Sequence, residues 1–165
     1  MFLPSEGFGF VASLQDHWRS ILAECLDLPP HEFTAWPEHA LYDRGWDVYG
    51  LYLQGRPMLE NCLFCPLTAR LLRDIPGLVT AGFSRLETGT AIKPHVGYSD
   101  RVLRLHLALQ APPACGLRVG SETRRWIAGQ CLIFDDTVEH EAWNHGPTTR
   151  LVLLVDFARP GRAQS

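Results

Sequence analysis

The stretch Val102-Leu103-Arg104-Leu105-His106-Leu107-Ala108-Leu109-Gln110 puts leucine at 103, 105, 107 and 109, with Arg104, His106, Ala108 and Gln110 between them. Successive side chains of a strand point to opposite faces, so this pattern predicts a strand with one wholly apolar face. Arg104 and His106 then share the other face. A second stretch, Arg150 to Phe157, repeats the arrangement: Leu151, Leu153, Val155 and Phe157 lie on one side, and Arg150, Val152, Leu154 and Asp156 on the other. Two readings fit. Either the polar face looks into solvent, or it lines the mouth of a barrel where a ligand sits.

Working outward, the second half of the chain is a series of short β-rich runs at 79–87, 91–95, 102–110, 116–119, 123–127, 131–134 and 150–157. Gly89, Gly97, Pro112-Pro113, Gly120, Gly129 and Gly146-Pro147 punctuate them. Seven strands at this spacing indicate a sandwich or barrel-like jelly roll. The first third has another texture. Phe10, Val11, Leu14, Trp18, Ile21, Leu22, Cys25 and Leu26 recur every three or four residues, which predicts an amphipathic helix ending before Pro29-Pro30. Residues 31–45 read as loop, and Trp46 to Leu53 as a strand. Pro66 fits the first turn of a second helix through Leu67, Leu71, Leu72 and Ile75, stopped by Pro76-Gly77.

A chain of 165 residues without repeats or low-complexity tracts reads as a single domain. The expected division is a helical, substrate-side flank over 1–78 and a β core over 79–160. A net charge of −3 argues against a nucleic-acid binder. Only Lys93 of the 15 basic residues is a lysine, so an arginine near any site carries little weight by itself. The five cysteines are odd in number and irregular in spacing, which favours reduced thiols. Cys62 and Cys65 form a lone CxxC with no second pair, best read as a thiol pair beside the turn at Pro66. No run is long and apolar enough for a membrane span, and no basic leader precedes an apolar stretch, so a cytoplasmic location is expected.

The β half also holds His95, His106, His140 and His145. Imidazoles from different strands suit iron or zinc in a site with open positions. Around them the chain resembles the aspartyl/asparaginyl β-hydroxylase family over roughly residues 60–160. The motifs are Gly82-Phe83-Ser84-Arg85-Leu86, Gly89-Thr90 and Lys93-Pro94-His95-Val96-Gly97. They continue with Arg101 to Leu107, with Trp126 and Gly129, and with Leu132-Ile133-Phe134-Asp135-Asp136. His140-Glu141-Ala142-Trp143-Asn144, and Arg150 ten residues beyond His140, complete the series.

The resemblance implies a mainly β fold, the double-stranded β-helix (a cupin-like jelly roll), with flanking N-terminal helices. It implies a hydroxylase dependent on Fe(II) and 2-oxoglutarate, with O2 as oxidant and an amino acid, a peptide or a related small metabolite as substrate. His95 and His140 would ligate iron. Gly97 stands where the wider superfamily carries a third, carboxylate ligand, and Asp136 matches the acidic residue that holds a metal-bound water in its place. Arg150 and Ser84 match the pair that grips the distal carboxylate of 2-oxoglutarate, and Arg104 and His106 the pair near its other carboxylate. Within the less familiar segment from Pro29 to Met58, expected to contribute to the substrate wall, Arg44, Trp46, Tyr49 and Tyr52 are candidate substrate contacts. The vacant ligand position also fits a halogenase. Two histidines alone fit a cupin-like metal-binding protein, whereas a zinc hydrolase normally takes three protein ligands.

Overall fold

A computed structural model describes residues 1–161. The strands are β1 (Phe2–Leu3), β2 (Thr34–Ala35), β3 (Trp46–Leu53), β4 (Arg56–Pro57), β5 (Leu78–Leu86), β6 (Thr90–His95), β7 (Val102–Gln110), β8 (Cys115–Val119), β9 (Glu122–Arg124), β10 (Cys131–Phe134), β11 (His140–Asn144) and β12 (Arg150–Ala158). The major sheet runs β1-β10-β7-β12-β5-β3-β2, with β4 on β3, and the minor sheet runs β6-β11-β8-β9. Every pairing is antiparallel. The two sheets face each other as a double-stranded β-helix, in line with the expected fold class.

The alternation in β7 and β12 decides which side of the major sheet does what. The odd leucines of β7, with Leu151, Leu153, Val155 and Phe157 of β12, pack away from the minor sheet. They meet Val11 and Leu14 of helix α1 (Val11–Asp16), Ile21 and Cys25 of α2 (Trp18–Asp27) and Leu72 of α4 (Pro66–Arg73). The even face turns inward. There Ala108, Val152, Leu86 and Phe134 meet Ile92, Leu117, Val119 and Ala142 of the minor sheet. Both faces are therefore buried, and the polar residues of the even face lie inside the barrel rather than in solvent.

Several boundaries differ from those expected. The long N-terminal helix is two, because His17 leaves helical geometry (φ −105°, ψ 11°) and its Nδ1 lies 2.8 Å from the Ser13 carbonyl, a contact that competes with the backbone ladder. The expected strand at 123–127 pairs only over β9; beyond Arg124 the chain leaves the ladder and buries Trp126. β11 had no strand signal, being mostly polar and aromatic, yet it is the centre of the minor sheet, paired with β6 and β8. A short helix α3 (Leu59–Leu63) precedes α4. β3 matches the strand expected over 46–53, and it lies next to β5 in the major sheet.

All five cysteines are free. Burial pushes the thiols of Cys25, Cys65 and Cys131 up to about 12, and Cys62 is raised as well while its thiol donates to the Leu51 carbonyl. These are inert packing groups. No helix among the described residues is long and apolar enough to cross a membrane.

Candidate active site

One cavity between the sheets collects the even-face side chains. Its walls include Trp46 from β3, Ser84 from β5, Arg104 and His106 from β7, and Arg150 and Leu154 from β12; His95 from β6 and His140 from β11 face them. Six of the seven residues singled out from the sequence line it, and Asp136, just after β10, stands beside Arg104. The enclosed volume is about 20 Å³, roughly one water.

His95 and His140 are cross-strand partners in the minor sheet, with ring centroids 4.2 Å apart. Each Nδ1 is held by the carbonyl two residues upstream: Lys93 at 2.7 Å for His95 and Val138 at 2.9 Å for His140. A nitrogen next to a carbonyl carries the proton, so both rings keep an Nε2 lone pair for another partner. Burial lowers His140 to about 4, leaving the ring neutral. Among the described residues no third His, Cys, Asp or Glu joins the pair as a cluster able to hold a metal.

The position two residues after His95 explains why. A Cβ built on Gly97 would lie 2.3 Å from Asp136 Oδ2, so the Asp136 carboxylate occupies the space a side chain at 97 would need. The Gly97 amide donates to the Asp136 carbonyl at 2.6 Å and pins the two segments together. Asp136 Oδ1 is buried with no hydrogen-bond partner, and burial raises the carboxyl above its ordinary range against the pull of Arg104.

The deep end of the cavity is cationic. Arg150 is 1% exposed, and its Nη2 donates to Ser84 Oγ at 2.8 Å and to the Ser84 carbonyl at 3.3 Å. Ser84 Oγ also accepts from Trp46 Nε1 at 3.0 Å. Among the described residues no carboxylate pairs with Arg150, its Nε has no partner, and burial pushes it down to about 10. Arg104, in contrast, is clamped by Asp156 through two bonds of 2.8 and 3.0 Å. Sequence reasoning put Asp156 on the same face of β12 as Arg150 and gave it no role. The signal was the β7–β12 register, which places it opposite Arg104.

Of the candidate substrate contacts only Trp46 lines the cavity. It stacks on Trp36 (centroids 4.3 Å apart, 4° between planes), and Tyr42 meets it edge-on. Tyr49 lies on the outer face, its hydroxyl on the Asn61 carbonyl. The register shift between Gly50 and Tyr52 turns Tyr52 to that same face, bonded to Ala69. Arg44 is a surface residue paired with Glu87. Trp36 and Tyr42 lay in a stretch read as featureless loop, and nothing in their spacing marked them.

The fold is shared with a prolyl-4-hydroxylase from Pseudomonas putida (TM-score 0.58, 18% identity, 89% of this chain and 88% of that one). A cupin domain of a transcriptional regulator from Enterobacter cloacae matches less fully (TM-score 0.50, 10% identity, 70% and 99%). Among curated proteins, an ornithine lipid ester-linked acyl 2-hydroxylase from Rhizobium tropici is 43% identical over 121 residues, 72% of this chain and 43% of its own length. The human aspartyl/asparaginyl β-hydroxylase is 34% identical over 161 residues, 91% of this chain and 21% of its own. The chain thus spans less than half the length of these relatives. The fold defines a class, the double-stranded β-helix. The match of residues 15–160 to the aspartyl/asparaginyl β-hydroxylase family model narrows it further: the chain belongs to that family.

Proposed function

We propose that the chain is an Fe(II)- and 2-oxoglutarate-dependent hydroxylase acting on an amino acid, a peptide or a related small metabolite, with O2 as oxidant. The observation that carries this reading is Arg150, a buried guanidinium with no carboxylate partner among the described residues, in a cavity that His95 and His140 line from the facing sheet. An unpaired buried charge costs several kcal/mol. A carboxylate entering the cavity would offset that cost, and a planar guanidinium can hold it bidentately.

The donor set fits a ferrous ion. His95 and His140 would hold it through Nε2, and their fixed Nδ1 protons orient both rings. Asp136, with an orphaned oxygen next to the ligand pair, would fix a water on the metal. Two protein ligands leave room for a chelating co-substrate. The chemistry so supplied is oxidative decarboxylation, in which 2-oxoglutarate and O2 give succinate, CO2 and a hydroxylated substrate.

The protein's own part is to bind and orient. Arg150 and Ser84 take the far carboxylate. His106 and Arg104 flank the near one, with Asp156 holding Arg104 in place. Because the cavity is so small, a five-carbon dicarboxylate enters by displacing a wall. The wall at Trp46 is backed by Trp36 and Tyr42, which come from the loop before β3. The unpaired cysteines suit a reducing, cytoplasmic setting.

Asp136 also bears on the halogenase reading. Its carboxylate already fills the space beside Gly97, and a halide there would sit against like charge. A cupin-like metal-binding role leaves Arg150 unexplained.

Supplied with iron, 2-oxoglutarate and O2, the chain is expected to release succinate, and His95→Ala or His140→Ala to abolish it. Arg150→Ala is expected to raise the apparent KM for 2-oxoglutarate by about a hundredfold or more. Full activity in either histidine variant would overturn the metal assignment. An unchanged KM would overturn the co-substrate site.

A further inference from the structure

Trp126 lies in the connection between β9 and β10, outside any ladder, yet it is 3% exposed. Its indole touches two of the polar groups that line the cavity from the major sheet, His106 and Arg150. The N–H donates to His106 Nδ1 at 3.2 Å, and the face of the ring lies 4.8 Å from the Arg150 guanidinium carbon. We infer that Trp126 is the positioning residue of the co-substrate pocket, fixing the His106 proton on Nε2 and steadying Arg150 without neutralising it. This inference rests on the proposed 2-oxoglutarate site.

The first half follows from hydrogen-bond chemistry. An indole N–H is a donor only, so the nitrogen it meets must be an unprotonated acceptor. His106 is therefore neutral, with its single proton on Nε2, the nitrogen left for the cavity it lines. Burial, with Arg150 and Arg104 nearby, holds the ring well below its ordinary range and keeps it so. The pocket gains a donor of fixed position, able to bond a carboxylate oxygen. With the other tautomer it would present a lone pair and repel that oxygen.

The second half follows from what the site must avoid. A carboxylate under Arg150 would stabilise it in the empty protein and cancel its attraction for an incoming anion. An aromatic face attracts the cation through its quadrupole while adding no net charge. The guanidinium is held in place and stays available.

Long-range proton–nitrogen correlation spectra of the metal-free, 15N-histidine-labelled protein test the first half without reference to activity. His106 is expected as the Nε2–H tautomer, with a hydrogen-bonded Nδ1 acceptor; an Nδ1–H tautomer would overturn the inference. Trp126→Phe keeps the aromatic face and removes the donor. It is expected to convert His106 to a mixture of tautomers and to weaken calorimetric binding of 2-oxoglutarate to the Mn(II)-loaded protein about tenfold. Trp126→Leu, which removes the face as well, is expected to weaken it further. Unchanged spectra and affinity in Trp126→Phe would sink the proposal. Should wild type bind no 2-oxoglutarate while showing the Nε2–H tautomer, the co-substrate reading fails and the tautomer assignment stands.

Discussion

A guanidinium with no carboxylate partner is among the least favourable groups to bury, and Arg150 is among the most deeply buried side chains of this protein. A residue kept against its own folding cost points to a ligand. If so, Arg150→Met, similar in length and free of charge, is expected to leave the melting temperature of the ligand-free protein unchanged or raised while 2-oxoglutarate binding is lost. A melting temperature lowered by several degrees would make Arg150 a structural residue. Gly97 carries the complementary test. Gly97→Asp drives a side chain into the Asp136 carboxylate and is expected to cost about 1–3 kcal/mol in urea unfolding. Adding Asp136→Gly is expected to recover most of that loss. Equal stability of wild type and the single variant would show that the two positions do not compete. At this scale the sequence spoke clearly where a motif fixed the residue type, as at His95, His140 and Arg150. The sequence was silent on Asp156, Trp36 and Tyr42, whose contacts arise from the β7–β12 register and from a loop that packs against Trp46.

The two faces of β7 divide stability from chemistry. Leu107 is fully buried under the helices, and Leu107→Ala is expected to cost about 2–5 kcal/mol in urea unfolding while leaving the KM for 2-oxoglutarate near wild type. His106 lies on the opposite face, and its substitution is expected to show the reverse pattern. A large KM change in Leu107→Ala would mean that the faces are not separable. The leucine alternation made this strand readable to the residue, and β10 matches the run expected at 131–134. β11 was hidden because His140-Glu141-Ala142-Trp143-Asn144 has no apolar alternation to betray it; cross-strand partners on both sides hold it. The break at His17 was equally invisible, since the apolar stripe continues across it through Ile21 and Cys25.

For the whole molecule, the buried rings make stability depend on pH. His140 is lowered from 6.5 to about 4 by burial, so the unfolded chain takes up a proton in that window and the folded one does not. Stability of the metal-free protein is therefore present above the unfolded value and is lost as pH falls from about 6.5 towards 4. For His140 alone the loss is at most about 3 kcal/mol. His106, lowered for the same reason, adds to it, while Asp136, raised by burial, works against it as a single carboxyl facing two rings. Urea midpoints at pH 7 and pH 5 are expected to differ in favour of pH 7, and a higher midpoint at pH 5 would contradict the neutral-ring account. The sequence conveyed the jelly roll and its cargo of polar residues, but not that both faces of the major sheet are buried. Alternation reports that two faces differ, never what covers each.

The central claim is that iron on two histidines and a buried arginine bind one dicarboxylate together. Anaerobic calorimetry of 2-oxoglutarate with Fe(II)-loaded protein, metal-free protein and Fe(II)-loaded Arg150→Met addresses it most directly. Tight binding is expected only when iron and Arg150 are both present. Equal affinity in all three preparations, or no binding in any, would contradict the account.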